Sequence, residues 1–241
     1  MTADLVAPEH VLRLCDKWDL PLRPGFGGYY EYANGRATEV LRNARCIEFL
    51  VKALDVPKGG VVVENFGGVG AFATVLQGML EPIAHGIYDI DPDCLAQLAA
   101  AFGGRAGMHI AYGDAQDTIG RRDSALTLLD FPFYTAYRHA KWENAWKRLL
   151  LQKDTGSVIW MDGASKYLHL HAKHYAEAMG QPIGNGPERF QQYAEATSRF
   201  MYQRYGYSIR YATVSGGCFY FAAKPGPEHP MGLALWKASD L

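Results

Sequence analysis

Val61-Val62-Val63-Glu64-Asn65-Phe66-Gly67-Gly68-Val69-Gly70-Ala71 decides the fold. Three consecutive β-branched residues favour an extended strand. The glycines that follow allow a tight turn, where backbone passes close to a ligand and side chains must be small. Ala71 to Leu80 then reads as a helix. The same alternation continues along the chain, with strands predicted at 61–66, 84–89, 107–111, 125–130 and 156–162. Helices are predicted at Pro92 to Phe102 and Arg138 to Leu151, and Pro92 suits a first helical turn because its missing N–H costs nothing there. Strands alternating with helices imply βαβ units and a parallel sheet. Tyr207 to Val214 and Cys218 to Ala223, separated by Ser215-Gly216-Gly217, add an antiparallel hairpin. The expected fold is α/β and Rossmann-like, a mostly parallel seven-stranded sheet ending in that hairpin, with helices on both faces.

Composition sets the outer limits. A chain of 241 residues, 49% hydrophobic and 20% charged, buries a substantial core and reads as a single domain over 1–241. Within it, residues 1–56 read as a helical amino-terminal part, with amphipathic patterns at Ala7 to Trp18 and Thr38 to Leu54. Residues 166–206 read as a helical insert that caps the substrate side. No apolar run approaches the ~20 residues of a membrane span, and Met1 to His10 lacks the apolar centre of a secretory signal. The expected location is cytoplasmic. Cys15, Cys46, Cys94 and Cys218 lie far apart with no C-x-x-C pair, which argues for reduced, mostly buried thiols. The formal net charge of −1 means that any face for nucleic-acid phosphates is local.

The turn after Val63 carries the first functional expectation. Glu64, at the strand end, is placed for its carboxylate to accept hydrogen bonds from an ammonium group, directly or through water. A phosphate ligand would favour a lysine in this loop, and none is present. The choice therefore moves to an adenosyl cofactor without a pyrophosphate. Asp89 ends the second strand about twenty residues beyond the glycines, an offset suited to ribose hydroxyls, with Asp91 as second choice. Asp114, after the third strand, is placed to accept from the adenine amino group. Each acid also suits the cap of the helix that follows it. The fourth strand ends at Asp130, so Glu64, Asp89, Asp114 and Asp130 recur in order at four successive strand ends.

Asp130-Phe131-Pro132-Phe133 resembles the D-P-P-Y/F motif of the Dam-type adenine-N6 DNA methyltransferases, and Glu64 to Ala71 resembles their E-P-F-x-G-x-G-A turn. The resemblance runs over roughly residues 30 to 165. It implies a class I methyltransferase fold and S-adenosylmethionine as cofactor, bound by Glu64, Phe66, Gly68, Gly70, Asp89 and Asp114. Tyr32-Ala33-Asn34-Gly35-Arg36 is similar to a glycine-lysine element of that family, which implies Arg36 as partner of the methionine carboxylate. It further implies Asp130, Phe131, Pro132 and Phe133 as the residues that hold the target amine. Two departures stand out: Phe131 replaces a proline, and no long target-recognition segment follows the tetrapeptide.

The chemistry explains the residue types. An exocyclic amino nitrogen is a poor nucleophile because its lone pair is delocalised into the ring. Acceptance of its two hydrogens by Asp130 and the Phe131 carbonyl lets the nitrogen rehybridise toward a methyl donor, a matter of positioning and electrostatic preorganisation. Phe133, with Tyr134 and Tyr137 as substrate-binding helpers, suits stacking on a base. The expected reaction is N-methylation, adenine N6 of DNA or RNA foremost. An amino or amide group of a protein or small molecule, and a catalytically silent nucleic-acid- or partner-binding subunit, remain the alternatives. No metal is required. His169, His171 and His174 have no carboxylate at ligand spacing, and Lys141, Lys147, Arg148 and Lys153 suit solvated helix faces as well as phosphates.

Overall fold

Val61–Asn65 forms strand β1, and the hydrophobic run there is buried on both faces, as a central parallel strand requires. The computed structural model describes residues 45–65, 67, 70–129, 140–151, 155–162, 188–215, 218–226 and 234–237. Helix α1 (residues 45–54) leads into β1, which is followed by α2 (Ala71–Leu80) and β2 (Ala84–Asp89). Then come α3 (Pro92–Phe102), β3 (Met108–Tyr112), the single turn α4 (Ala115–Thr118) and β4 (Ser124–Leu129). Helix α5 (Ala140–Leu150), β5 (Thr155–Asp162) and α6 (Arg189–Tyr205) precede the final strands β6 (Tyr207–Ser215), β7 (Cys218–Pro225) and β8 (Ala234–Lys237).

These strands form one sheet in the order β3-β2-β1-β4-β5-β7-β6-β8. The first five are parallel, and β7 pairs antiparallel with both β5 and β6. The sheet is thus the expected one, with β8 added in parallel at the edge of β6. A four-residue strand so close to the carboxyl end carries too short a pattern to be legible beforehand. Predicted boundaries that fall on described residues shift by one or two residues, the usual fraying of element ends, while Ala7 to Trp18, the start of the Thr38 to Leu54 pattern and residues 166–187 lie outside the described residues.

Registers show how the faces are filled. Glu64 lies opposite Ile87 and Leu128, and Leu128 opposite Ile159. That face is covered by α1, α2 and α3, through Ile47, Leu50, Leu76, Leu98 and Phe102. Asn65 lies opposite Tyr88 and Leu129, and Leu129 opposite Trp160. The Trp160 face is covered by α4, α5 and α6, with Trp146 edge-on to Trp160 at 5.7 Å and Phe221 stacked on it at 5.3 Å. Helices thus cover both faces, which leaves the strand tips as the accessible edge of the parallel half.

Candidate active site

Chain direction brings the carboxyl ends of β1 to β5 to one edge of the sheet. The path runs outward from β1 through β2 to β3, then returns to β4 on the other side of β1. The β1/β4 boundary is therefore the topological switch point, where open α/β sheets form a crevice for ligands.

The tips on the β2 side are laced together by backbone. The Gly67 N–H donates to the Tyr88 carbonyl at 3.2 Å, and the Gly113 N–H donates to the Asp89 carbonyl at 3.0 Å. Gly70 adopts φ +85°, a left-handed conformation that glycine enters without penalty, and opens α2 from there. The space that a Cβ would occupy at Gly70 already holds the Phe102 ring and Leu98, and at Gly67 it holds Ile87. For these two glycines the demand for small size comes from close packing of turn on strand and helix. Phe66 and Gly68 lie outside the described residues.

Glu64 and Asn65 close β1 with opposite orientations. Both are fully buried, and both keep polar atoms without a hydrogen-bond partner: Glu64 Oε1 and Oε2 on one face, Asn65 Nδ2 on the other. Asn65 Oδ1 accepts from the Thr118 hydroxyl at 2.7 Å. Glu64 Oε2 lies 3.4 Å from His85 Nε2, a contact longer than a formed hydrogen bond. Burial raises the Glu64 carboxyl above the ordinary carboxylate range; His85 opposes that rise, and the charge on Asp89 adds to it.

Asp89, Asp91 and Asp114 are each tied by a backbone N–H into the turn that follows a strand. Asp89 Oδ1 accepts from the Asp91 N–H at 2.9 Å, and Asp91 caps α3 by accepting from the Asp93 N–H at 2.9 Å. Asp114 caps α4 through Gln116 N–H at 2.8 Å. The helix-capping role open to each acid in the sequence is thus the observed role of Asp91 and Asp114. Together the acids make the β2 tip negative: burial, then Asp89, Asp91 and Asp93, push the Cys94 thiol up to about 11. Two large apolar side chains stand exposed beside them, Ile90 at 57% and Tyr112 at 72%. Sequence reasoning passed over both, although an isoleucine between two aspartates at a strand tip was a usable signal.

Arg36, Asp130, Phe131, Pro132, Phe133, Tyr134 and Tyr137 lie outside the described residues, as do the three histidines at 169, 171 and 174. Among the described residues, no group of three or more His, Cys, Asp or Glu side chains is arranged to hold a metal ion. Among them also, no helix is long and apolar enough to cross a membrane.

Five parallel strands with the switch point at β1/β4, closed by an antiparallel β7 and a returning β6, make a Rossmann-like fold. Among solved structures, the chain is similar to Trm1 from Pyrococcus horikoshii in complex with S-adenosyl-L-methionine. The TM-score is 0.56 at 13% identity, over 78% of this chain and 54% of that one. It is also similar to a candidate RNA methyltransferase from the same organism, with TM-score 0.53 at 13% identity over 91% of this chain and 98% of that one. An S-adenosylmethionine-dependent methyltransferase from Clostridium acetobutylicum aligns with TM-score 0.53 at 9% identity, over 82% and 96%. No protein-family model and no curated protein matches the sequence.

Proposed function

We propose that this chain is an S-adenosylmethionine-dependent N-methyltransferase acting on an exocyclic amino group, with adenine N6 of RNA or DNA as the favoured target. The observation that carries the reading is the register at the switch point. Leu129 of β4 lies opposite Asn65 of β1, and Asp130-Phe131-Pro132-Phe133 follows Leu129 directly in the chain. The tetrapeptide read as amine-binding follows, in the chain, the strand beside the one that precedes the glycine turn.

The described residues at this edge fit the cofactor. Two buried carboxylate oxygens of Glu64 without a partner suit its ammonium group, and the negative β2 tip suits its positive charge. Asp89 suits the ribose hydroxyls and Asp114 the adenine amino group, while exposed Ile90 and Tyr112 supply apolar surface for a purine. Arg36 would take the methionine carboxylate, and Phe66, Gly68 and Gly70 the turn itself. When bound, S-adenosylmethionine supplies a methyl group activated on a sulfonium.

This chain's own residues prepare the acceptor. Asp130 and the Phe131 carbonyl draw the two amino hydrogens and turn the nitrogen lone pair outward; phenylalanine keeps the carbonyl that a proline would offer at that position. Phe133, Tyr134 and Tyr137 hold the base by stacking, and Pro132 stiffens the turn. The likeness to a candidate RNA methyltransferase makes RNA the first pool to test.

The test is a tritiated-methyl transfer assay across RNA, DNA and protein pools, with calorimetry against S-adenosylhomocysteine. Asp130→Ala is expected to abolish transfer and to leave affinity for S-adenosylhomocysteine within a few-fold. Equal activity in that variant would end the mechanism. Labelling of protein alone would redirect the substrate, and no binding of S-adenosylhomocysteine would leave a silent scaffold.

A further inference from the structure

Beneath the glycine turn lies a polar chain that the proposed chemistry does not use. His85, in β2, is fully buried, and its Nδ1 lies 3.0 Å from Gln77 Nε2 of α2. The same amide nitrogen donates to Met108 Sδ at 3.0 Å. An amide nitrogen only donates, so both of its hydrogens are used and His85 Nδ1 is the acceptor. The imidazole proton then sits on Nε2, the atom 3.4 Å from Glu64 Oε2. Residues distant in sequence thus form a line of side chains, Gln77 to His85 to Glu64, that ends on a carboxylate with both oxygens otherwise unpartnered.

We propose that His85 is a positioning residue of the cofactor cradle, fixed in its Nε2–H form by Gln77 so that it aims Glu64 and favours the charged carboxylate that an ammonium ligand requires. The inference rests on the reading of Glu64 as a cofactor ligand. A buried carboxylate without such a donor tends to neutralise, and a neutral acid attracts a cation far less than an anion does. Gln77 acts one step further back, by excluding the tautomer that would turn a lone pair toward Glu64.

Two measurements on the full chain test it, with S-adenosylhomocysteine as the probe. Nitrogen-15 spectra of the histidine side chains, with His85 assigned by its loss in His85→Gln, are expected to show the Nε2–H form and a resonance that moves when the probe is added. Calorimetry is expected to show affinity at least tenfold weaker for His85→Leu and within threefold of the parent for His85→Gln, whose amide restores a donor. Thermal melts of each variant report folding separately. An Nδ1–H form, a resonance indifferent to the probe, or unchanged affinity in a folded His85→Leu overturns the inference while the parent still binds. No binding by the parent overturns the cofactor reading itself.

Discussion

Glu64 carries a cost that its surroundings offset only in part. Both oxygens are buried without a formed hydrogen bond, and the carboxyl group sits above its usual range because of that burial. A folded-state value raised above the unfolded one means that the folded chain holds this proton more tightly. The stability it contributes is complete at acid pH, below the ordinary carboxylate range, and is lost as pH climbs through the raised value. Glu64→Gln is therefore expected to melt higher than the parent at pH 8 in the absence of ligand, and to lose that margin near pH 4. The same variant is expected to bind S-adenosylhomocysteine at least tenfold more weakly, the common exchange of stability for function. Melting curves at both pH values, with calorimetry, check it; a lower melting point for Glu64→Gln at pH 8 contradicts the argument. The sequence allowed Glu64 to be set at a strand tip, since the valines before it and the glycines after it define that tip locally. Its partner was hidden, because His85 meets it across strands through a register that no local pattern encodes.

The turn from β2 into α3 shows how an element gathers several tasks. Asp89 and Asp91 each accept from a backbone N–H two residues on, so the strand ends and the helix begins within three residues. Asp91→Ala is expected to cost about 1 kcal/mol of stability, and Asp91→Asn to restore most of it, as urea unfolding would measure. Affinity for S-adenosylhomocysteine should stay within a few-fold in both, because the N–H that Asp89 accepts belongs to the backbone. This capping was legible beforehand in Asp91-Pro92, an acid before a proline at a first helical position. The α4 turn was not, since four residues are too few to show a helical period. The occupied space behind Gly67 and Gly70 was equally hidden: the glycines are visible in sequence, while the side chains of Ile87, Leu98 and Phe102 that press on them come from other elements.

Across the whole molecule, β5 joins the parallel half to the antiparallel half. Its Trp160 is fully buried between Trp146 of α5 and Phe221 of β7, so one core cluster runs through both halves. Unfolding followed by tryptophan fluorescence and by far-ultraviolet circular dichroism is expected to give coincident curves. Trp160→Ala is expected to remove about 3–5 kcal/mol and to shift both curves together. Two separated transitions would show that the halves are independent. The parallel sense of the first five strands and the closing hairpin were readable from alternating strands and helices and from a glycine pair between aromatic runs; the return of β4 to the side of β1 and the seat of β7 between β5 and β6 were not, because no local pattern encodes them.

The eighth strand has a practical consequence at the bench. Because β8 runs parallel to β6, and β6 runs the same way as β5, β8 ends at Lys237 on the same edge of the sheet as Asp89 and Asp114. Four strand spacings, about 19 Å, separate it from β4. A label carried at Lys237 would therefore sit on the edge proposed to hold the cofactor, so binding is best measured with and without it.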